Sequence, residues 1–138
     1  MVFLDTNILI YAFDEESPFF PWSRQVLAES IAGDGAAINT VVLTELCVGN
    51  ATPTRLGERL QSYGLQILDL PAAVAPICSR AYGKYLMRRK RQTPPSARIP
   101  LPDFFIGAHA QVLKVPLITA DKERYPTYFP GLKLITPS

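Results

Sequence analysis

Histidine and cysteine are nearly missing from this chain: 138 residues contain one histidine, His109, and two cysteines, Cys47 and Cys78. That supply is too small for a zinc centre of imidazoles and thiolates, and a Ser-His-Asp triad has little material to work with. Both cysteines lie in apolar, helix-like stretches and read as buried reduced thiols. Neither a GxxxxGK[ST] loop nor a GxGxxG fingerprint occurs, which argues against nucleotide-cofactor binding. No uncharged apolar run approaches the ~18 residues of a membrane span. The N-terminal apolar run is interrupted by Asp5 and has no basic segment before it, so no secretory leader is expected and a cytoplasmic location is predicted. What remains is apolar and globular in character, with 48% hydrophobic residues and a mean hydropathy of +0.11. This composition and length predict one domain spanning residues 1–138.

Acid is also missing from one long segment. No Asp or Glu occurs between Asp69 and Asp103, whereas Arg80, Lys84, Arg88, Arg89, Lys90, Arg91 and Arg98 supply 7 of the 14 basic residues. Such a gathering suits a polyanionic partner, with Arg88, Arg89 and Arg91 as candidate RNA contacts, or else a solvated helix face.

The coarse pattern alternates short apolar strands with helices. Strands are predicted at residues 2–5, 36–38, 65–68, 117–119 and 132–135. Helices are predicted over 6–13, 22–32 with Pro21 in the first turn, 40–48 with Thr40 as cap, and 52–63. A long helical stretch follows over 71–91, where Pro76 kinks or restarts it, and another helix over 103–113. Residues 92–102 hold four prolines and predict no regular structure. The order implies an α/β fold with a short, mostly parallel central sheet and helices on both faces.

In such a sheet functional groups collect at the carboxyl ends of the strands, where the N-termini of the connecting helices also lie. Asp5 and Asp121 follow two strands, Asp103 opens a helix, and Glu45 is little more than a turn into another. Singly, Asp5 and Asp103 fit N-caps and Asp121 fits a surface turn. Glu45 has Val41, Val42, Val48 and Gly49 as its helical neighbours, none of which neutralises it. Together the four predict a carboxylate cluster. Two unit charges ~4 Å apart repel by about 4 kcal/mol at an effective dielectric near 20. The cluster must therefore protonate, pair with cations or hold a metal, and an all-oxygen site favours Mg²⁺ or Mn²⁺.

Four segments then resemble a known family in order. Leu4-Asp5-Thr6-Asn7-Ile8-Leu9-Ile10 is similar to the opening motif of PIN-domain ribonucleases. Ile38 to Leu46, with Glu45 on its helix, resembles the second motif. Pro102-Asp103-Phe104-Phe105-Ile106-Gly107 resembles the third, and Leu117-Ile118-Thr119-Ala120-Asp121 the fourth. The tail is similar to that of VapC-type toxins. Ala120 stands where a basic or polar residue is commoner, and Tyr125 where Phe is expected. The resemblance implies a single PIN-like domain and a metal-dependent endoribonuclease, the toxin of a toxin–antitoxin pair. It places Asp5, Glu45, Asp103 and Asp121 at the catalytic and metal site, with Asn7 and Thr119 supporting them. It further implies an RNA substrate, a cognate antitoxin and a homodimer. Two rival readings stand beside it. A haloacid-dehalogenase-type phosphatase would need a second acid where Asn7 stands, and a nucleic-acid-binding module would use the acids only as caps and surface charges.

Overall fold

In the computed structural model, residues 1–92 and 101–138 are described. Five strands, β1 (Val2–Leu4), β2 (Ala36–Asn39), β3 (Gln66–Leu68), β4 (Leu117–Ile118) and β5 (Leu134–Ile135), form one sheet in the order β3-β2-β1-β4-β5. Every pairing is parallel, with Phe3 opposite both Ala37 and Leu117. Parallel strands require covering on both faces, and the sequence supplies it: all four residues of β2 are buried, as are Phe3, Leu4, Leu117 and Ile118. β1 lies at the centre because the chain lays β2 and β3 on one side of it and returns to lay β4 and β5 on the other. The crevice beyond the carboxyl ends of β1 and β4 is thus the point where the winding direction changes, the preferred location for a site in an open α/β sheet.

The helices are α1 (Thr6–Ala12), α2 (Phe20–Ala32), α3 (Thr40–Cys47), α4 (Pro53–Ser62), α5 (Val74–Lys90), α6 (Leu101–Leu113) and α7 (Arg124–Tyr128). Three local expectations change. The cap of α3 is Asn39 rather than Thr40: its Oδ1 accepts the Val42 N–H at 2.9 Å. Pro76 neither kinks nor restarts α5, because the helix begins at Val74 and the proline falls in the first turn, where no intrahelical N–H bond is lost. Leu101 and Pro102 already belong to α6, so Asp103 lies within its first turn and is not its cap. Residues 93–100 of the proline-rich stretch expected to be irregular, with Arg98, lie outside the described residues.

An aromatic cluster joins the last three helices. Phe104 of α6 meets Tyr82 edge-on at 5.1 Å between ring centroids and Tyr85 at 5.5 Å, both on α5, and Tyr128 of α7 at 5.5 Å. Edge and tilted contacts of this kind favour defined ring geometry as well as burial. The cluster fixes α5, the acidic start of α6 and the end of the short helix α7 beside one another.

Candidate active site at the carboxyl edge of the sheet

Asp5 leaves β1 in an extended conformation and caps α1, its Oδ1 accepting the Thr6 N–H at 2.7 Å. Its Oδ2 accepts three side-chain donors: Thr119 Oγ1 at 2.8 Å, Tyr125 OH at 3.0 Å and Asn7 Nδ2 at 3.3 Å. The cap and site readings of Asp5 therefore coexist in one carboxylate. Burial pushes its carboxyl above the ordinary value, opposed by the Thr119, Tyr125 and Thr6 hydrogen bonds and reinforced by the charge of Glu45. Tyr125 is pushed well above its usual range, first by burial and then by the charges of Asp5 and Asp103, so its phenol remains a donor.

Asn7 and Thr119 tie the β1 and β4 ends together. Asn7 Nδ2 lies 3.4 Å from Thr119 Oγ1, and its Oδ1 accepts the Ala120 N–H at 3.3 Å. Thr119 Oγ1 accepts the Asp121 N–H at 3.0 Å while donating to Asp5. Asp121 is a turn residue as well as a rim acid: its Oδ1 accepts the N–H groups of Glu123 and Arg124, each at 3.0 Å.

Glu45 differs from expectation. It is half-buried rather than embedded, and Val48 beside it is 80% exposed. Its Oε1 accepts the Thr6 hydroxyl at 2.7 Å, a contact across 39 residues that no helical spacing reveals. The Asp103 carboxyl is raised from 3.8 to about 6. Burial is the main cause, Arg124 opposes it, and the charges of Asp5, Glu45 and Asp121 push it further up. The four acids thus share one electrostatic neighbourhood although they come from β1, α3, α6 and the turn after β4.

Arg124, like Thr6 and Tyr125, was missed by the sequence reading. Its guanidinium NH1 donates to Asp103 Oδ2, and its Nε lies 3.4 Å from Asp121 Oδ2. A basic residue three positions after Asp121 was the available signal, but it was visible only as part of a charged surface turn. Beyond Arg124 opens a cleft of about 270 Å³ lined by Arg88, Arg89, Tyr128, Asp121 and neighbours. Arg91 is exposed and does not line it.

His109 is a packing residue. It is buried against Phe3, with ring centroids 5.1 Å apart, and its Nδ1 lies 3.1 Å from Asn39 Nδ2. Burial lowers its pKa, and the amide contact makes Nδ1 the acceptor. Both cysteines are free thiols, Cys78 buried and Cys47 only partly so.

The donor chemistry at the rim is that of a hard-cation site, with carboxylate, hydroxyl and amide oxygens and no thiolate. Yet among the described residues no three Asp, Glu, His or Cys side chains close around a common point as ligands of an ion do. The observed arrangement is that of an acid cluster neutralised in part by a guanidinium.

The fold is that of a recognised class. The PIN domain family model matches residues 2–128, and the chain belongs to the PIN domain family. No curated protein sequence matches it. Among solved structures it is similar to a toxin–antitoxin complex from Klebsiella pneumoniae, at 24% identity and a TM-score of 0.65 over 100% of this chain and 98% of that one. VapBC2 from Rickettsia felis, bound to a promoter DNA fragment, is similar at 24% identity and a TM-score of 0.61, covering 99% and 98%. VapC20 of Mycobacterium tuberculosis, a sarcin–ricin loop cleaving toxin, has a TM-score of 0.68 at 12% identity, covering 99% and 100%. At these identities the likeness is one of fold.

Proposed function

We propose that this PIN domain is a metal-dependent endoribonuclease and the toxin of a toxin–antitoxin pair. The observation that carries the reading is the convergence of four acids from distant segments on one strand edge, Asp5 and Glu45 joined through Thr6, Asp5 and Asp121 through Thr119, and Asp121 and Asp103 through Arg124. Asp5 and Asp103 would hold Mg²⁺ or Mn²⁺ directly, with Glu45 and Asp121 as ligands or as anchors of its water. When bound, the ion supplies a nucleophilic water of lowered pKa and stabilises charge on the phosphate and leaving oxygen. Asn7, Thr119 and Tyr125 aim the Asp5 carboxylate by hydrogen bonds, which keeps a buried charge fixed in direction. Thr6 does the same for Glu45. Arg88 and Arg89, at the cleft beside Asp121, would receive the RNA backbone.

The partners follow from the same reading. An antitoxin would neutralise the acids with a basic side chain, and a homodimer is the expected state of the toxin. In the aromatic segment Phe19-Phe20-Pro21-Trp22, Phe19 packs on Tyr11, Phe20 lies under Arg24, and Trp22 packs on the core. Exposed apolar surface lies instead at Ile10, Phe13 and Tyr63, around a groove of about 310 Å³ between α1 and α4. No helix among the described residues is long and apolar enough to cross a membrane.

The test is incubation with single-stranded and structured RNAs in Mg²⁺ or Mn²⁺, then in EDTA. Cleavage that depends on the ion and is lost in chelator is expected, and cleavage indifferent to chelator overturns the mechanism. Expression alone should arrest growth and co-expression of the antitoxin restore it. A chain harmless in cells that cleaves RNA freely when purified would be a housekeeping nuclease.

A further inference from the structure

Arg124 occupies a position that the metal reading leaves unexplained. Its guanidinium bonds Asp103 through NH1 and approaches Asp121 through Nε at 3.4 Å, so one side chain counters two of the four acids. Among the described residues Asp121 has other donors, whereas the Asp103 carboxylate is bonded by Arg124. Asp121 Oδ1 is held by two backbone N–H groups at 3.0 Å, which leaves Oδ2 facing the guanidinium, and Asp103 is carried on the first turn of the 13-residue helix α6. The same guanidinium borders the cleft that Arg88 and Arg89 line.

A guanidinium and a divalent cation are two solutions to one problem, the mutual repulsion of clustered carboxylates. They compete, because a guanidinium seated on Asp103 and Asp121 repels an arriving divalent ion and occupies carboxylate oxygens that the ion would take as ligands. We propose that Arg124 is a built-in counter-ion: its guanidinium holds Asp103 and Asp121 in the metal-free protein, must leave them for a divalent ion to bind, and swings into the adjoining cleft to join Arg88 and Arg89 as a phosphate contact. The site is thereby neutralised when idle, and the released cation reaches the substrate side only once the metal is loaded. The inference rests on the metal-site reading above.

The experiment titrates MnCl₂ calorimetrically into the full chain as wild type, Arg124→Ala and Arg124→Lys, at pH 8 and without RNA, with near-UV circular dichroism verifying the fold. Loss of a competing cation should tighten Mn²⁺ binding by about tenfold in Arg124→Ala, the scale of a typical negative coupling. Arg124→Lys, which keeps the charge without the fork, should fall between the two, and it serves as the test should the alanine variant fail to fold. In ¹⁵N spectra of the wild type, Mg²⁺ should shift the Arg124 Nε–H resonance, identified by its loss in Arg124→Lys, and speed its exchange with water. If the wild type binds Mn²⁺ and neither variant binds it more tightly, the counter-ion inference is overturned and the metal site stands. If no form binds Mn²⁺, the metal reading falls and takes the inference with it.

Discussion

At the scale of single residues, the site is defined by what surrounds each carboxylate. Asp5 and Glu45 look equivalent in the sequence, yet their settings demand different behaviour on substitution. The two oxygens of Asp5 face fixed donors on both sides, the Thr6 N–H on Oδ1 and the Asn7 amide on Oδ2. An asparagine there sets its own NH₂ against one or the other in either orientation. Glu45 accepts one bond, from a hydroxyl that rotates, and its second oxygen is free to become an amide nitrogen. Both Asp5→Asn and Glu45→Gln should abolish RNA cleavage. In chelator, however, Asp5→Asn should unfold at lower denaturant, by about 1–3 kcal/mol as for an opposed buried donor, while Glu45→Gln should match the wild type within about 0.5 kcal/mol as a surface-like change. Urea titrations of the metal-free proteins read the difference. Equal midpoints for the two variants would mean that the donors around Asp5 are not fixed as observed.

At the scale of elements, the sequence displayed what depends on local pattern and concealed what depends on distant partners. The strands announced themselves as short apolar runs, the acids by standing at their ends, and the PIN motifs by their order. The Thr6–Glu45 and Tyr125–Asp5 bonds join residues 39 and 120 positions apart, so no periodicity exposes them. Arg124 was hidden for the same reason: a cation in a charged turn acquires meaning only when α6 brings Asp103 beside it. Gly107 shows the same limit in the core. It lies midway along α6, where glycine costs helix stability, and the sequence offers no reason for it. The structure does: a Cβ there would come within 2.5 Å of the Phe129 ring. The glycine lets α6 seat against Phe129, next to the aromatic cluster that aligns α6 with α7, and so sets how far Asp103 stands from Arg124. Gly107→Ala should therefore cost about 1–3 kcal/mol, the usual penalty of overpacking, despite alanine's better helix propensity. It should lower cleavage as well, through displaced α6, though it touches no site residue. A variant more stable than wild type in a thermal melt would show that propensity outweighs the contact.

At the scale of the whole molecule, a net charge of +2 conceals a local asymmetry, since 7 of the 14 basic residues lie in the acid-free stretch between Asp69 and Asp103. The acids meet at the carboxyl edge of the sheet, and the end of α5 lays Arg88 and Arg89 along the cleft that continues from Asp121. A polyanion entering the cleft is thus drawn by the arginines toward an acidic rim that would repel it without a cation. On the proposed reading the two charge signs act together: the basic face would bind, and the rim would react only when its charge is offset. Among the arginines the structure discriminates where sequence did not, since Arg88 and Arg89 line the cleft and Arg91 does not. Each phosphate neutralised on a single strand contributes about −0.7 to the slope of log affinity against log salt. The double change Arg88→Ala, Arg89→Ala should flatten that slope by about 1.4 if each arginine meets one phosphate, whereas Arg91→Ala should leave it nearly unchanged. Fluorescence anisotropy of a labelled single-stranded RNA, titrated at several salt concentrations with the inactive Glu45→Gln protein as background, measures the slope without cleavage. A slope insensitive to the double change would return the end of α5 to a solvated helix face and require the RNA to approach the rim from another side.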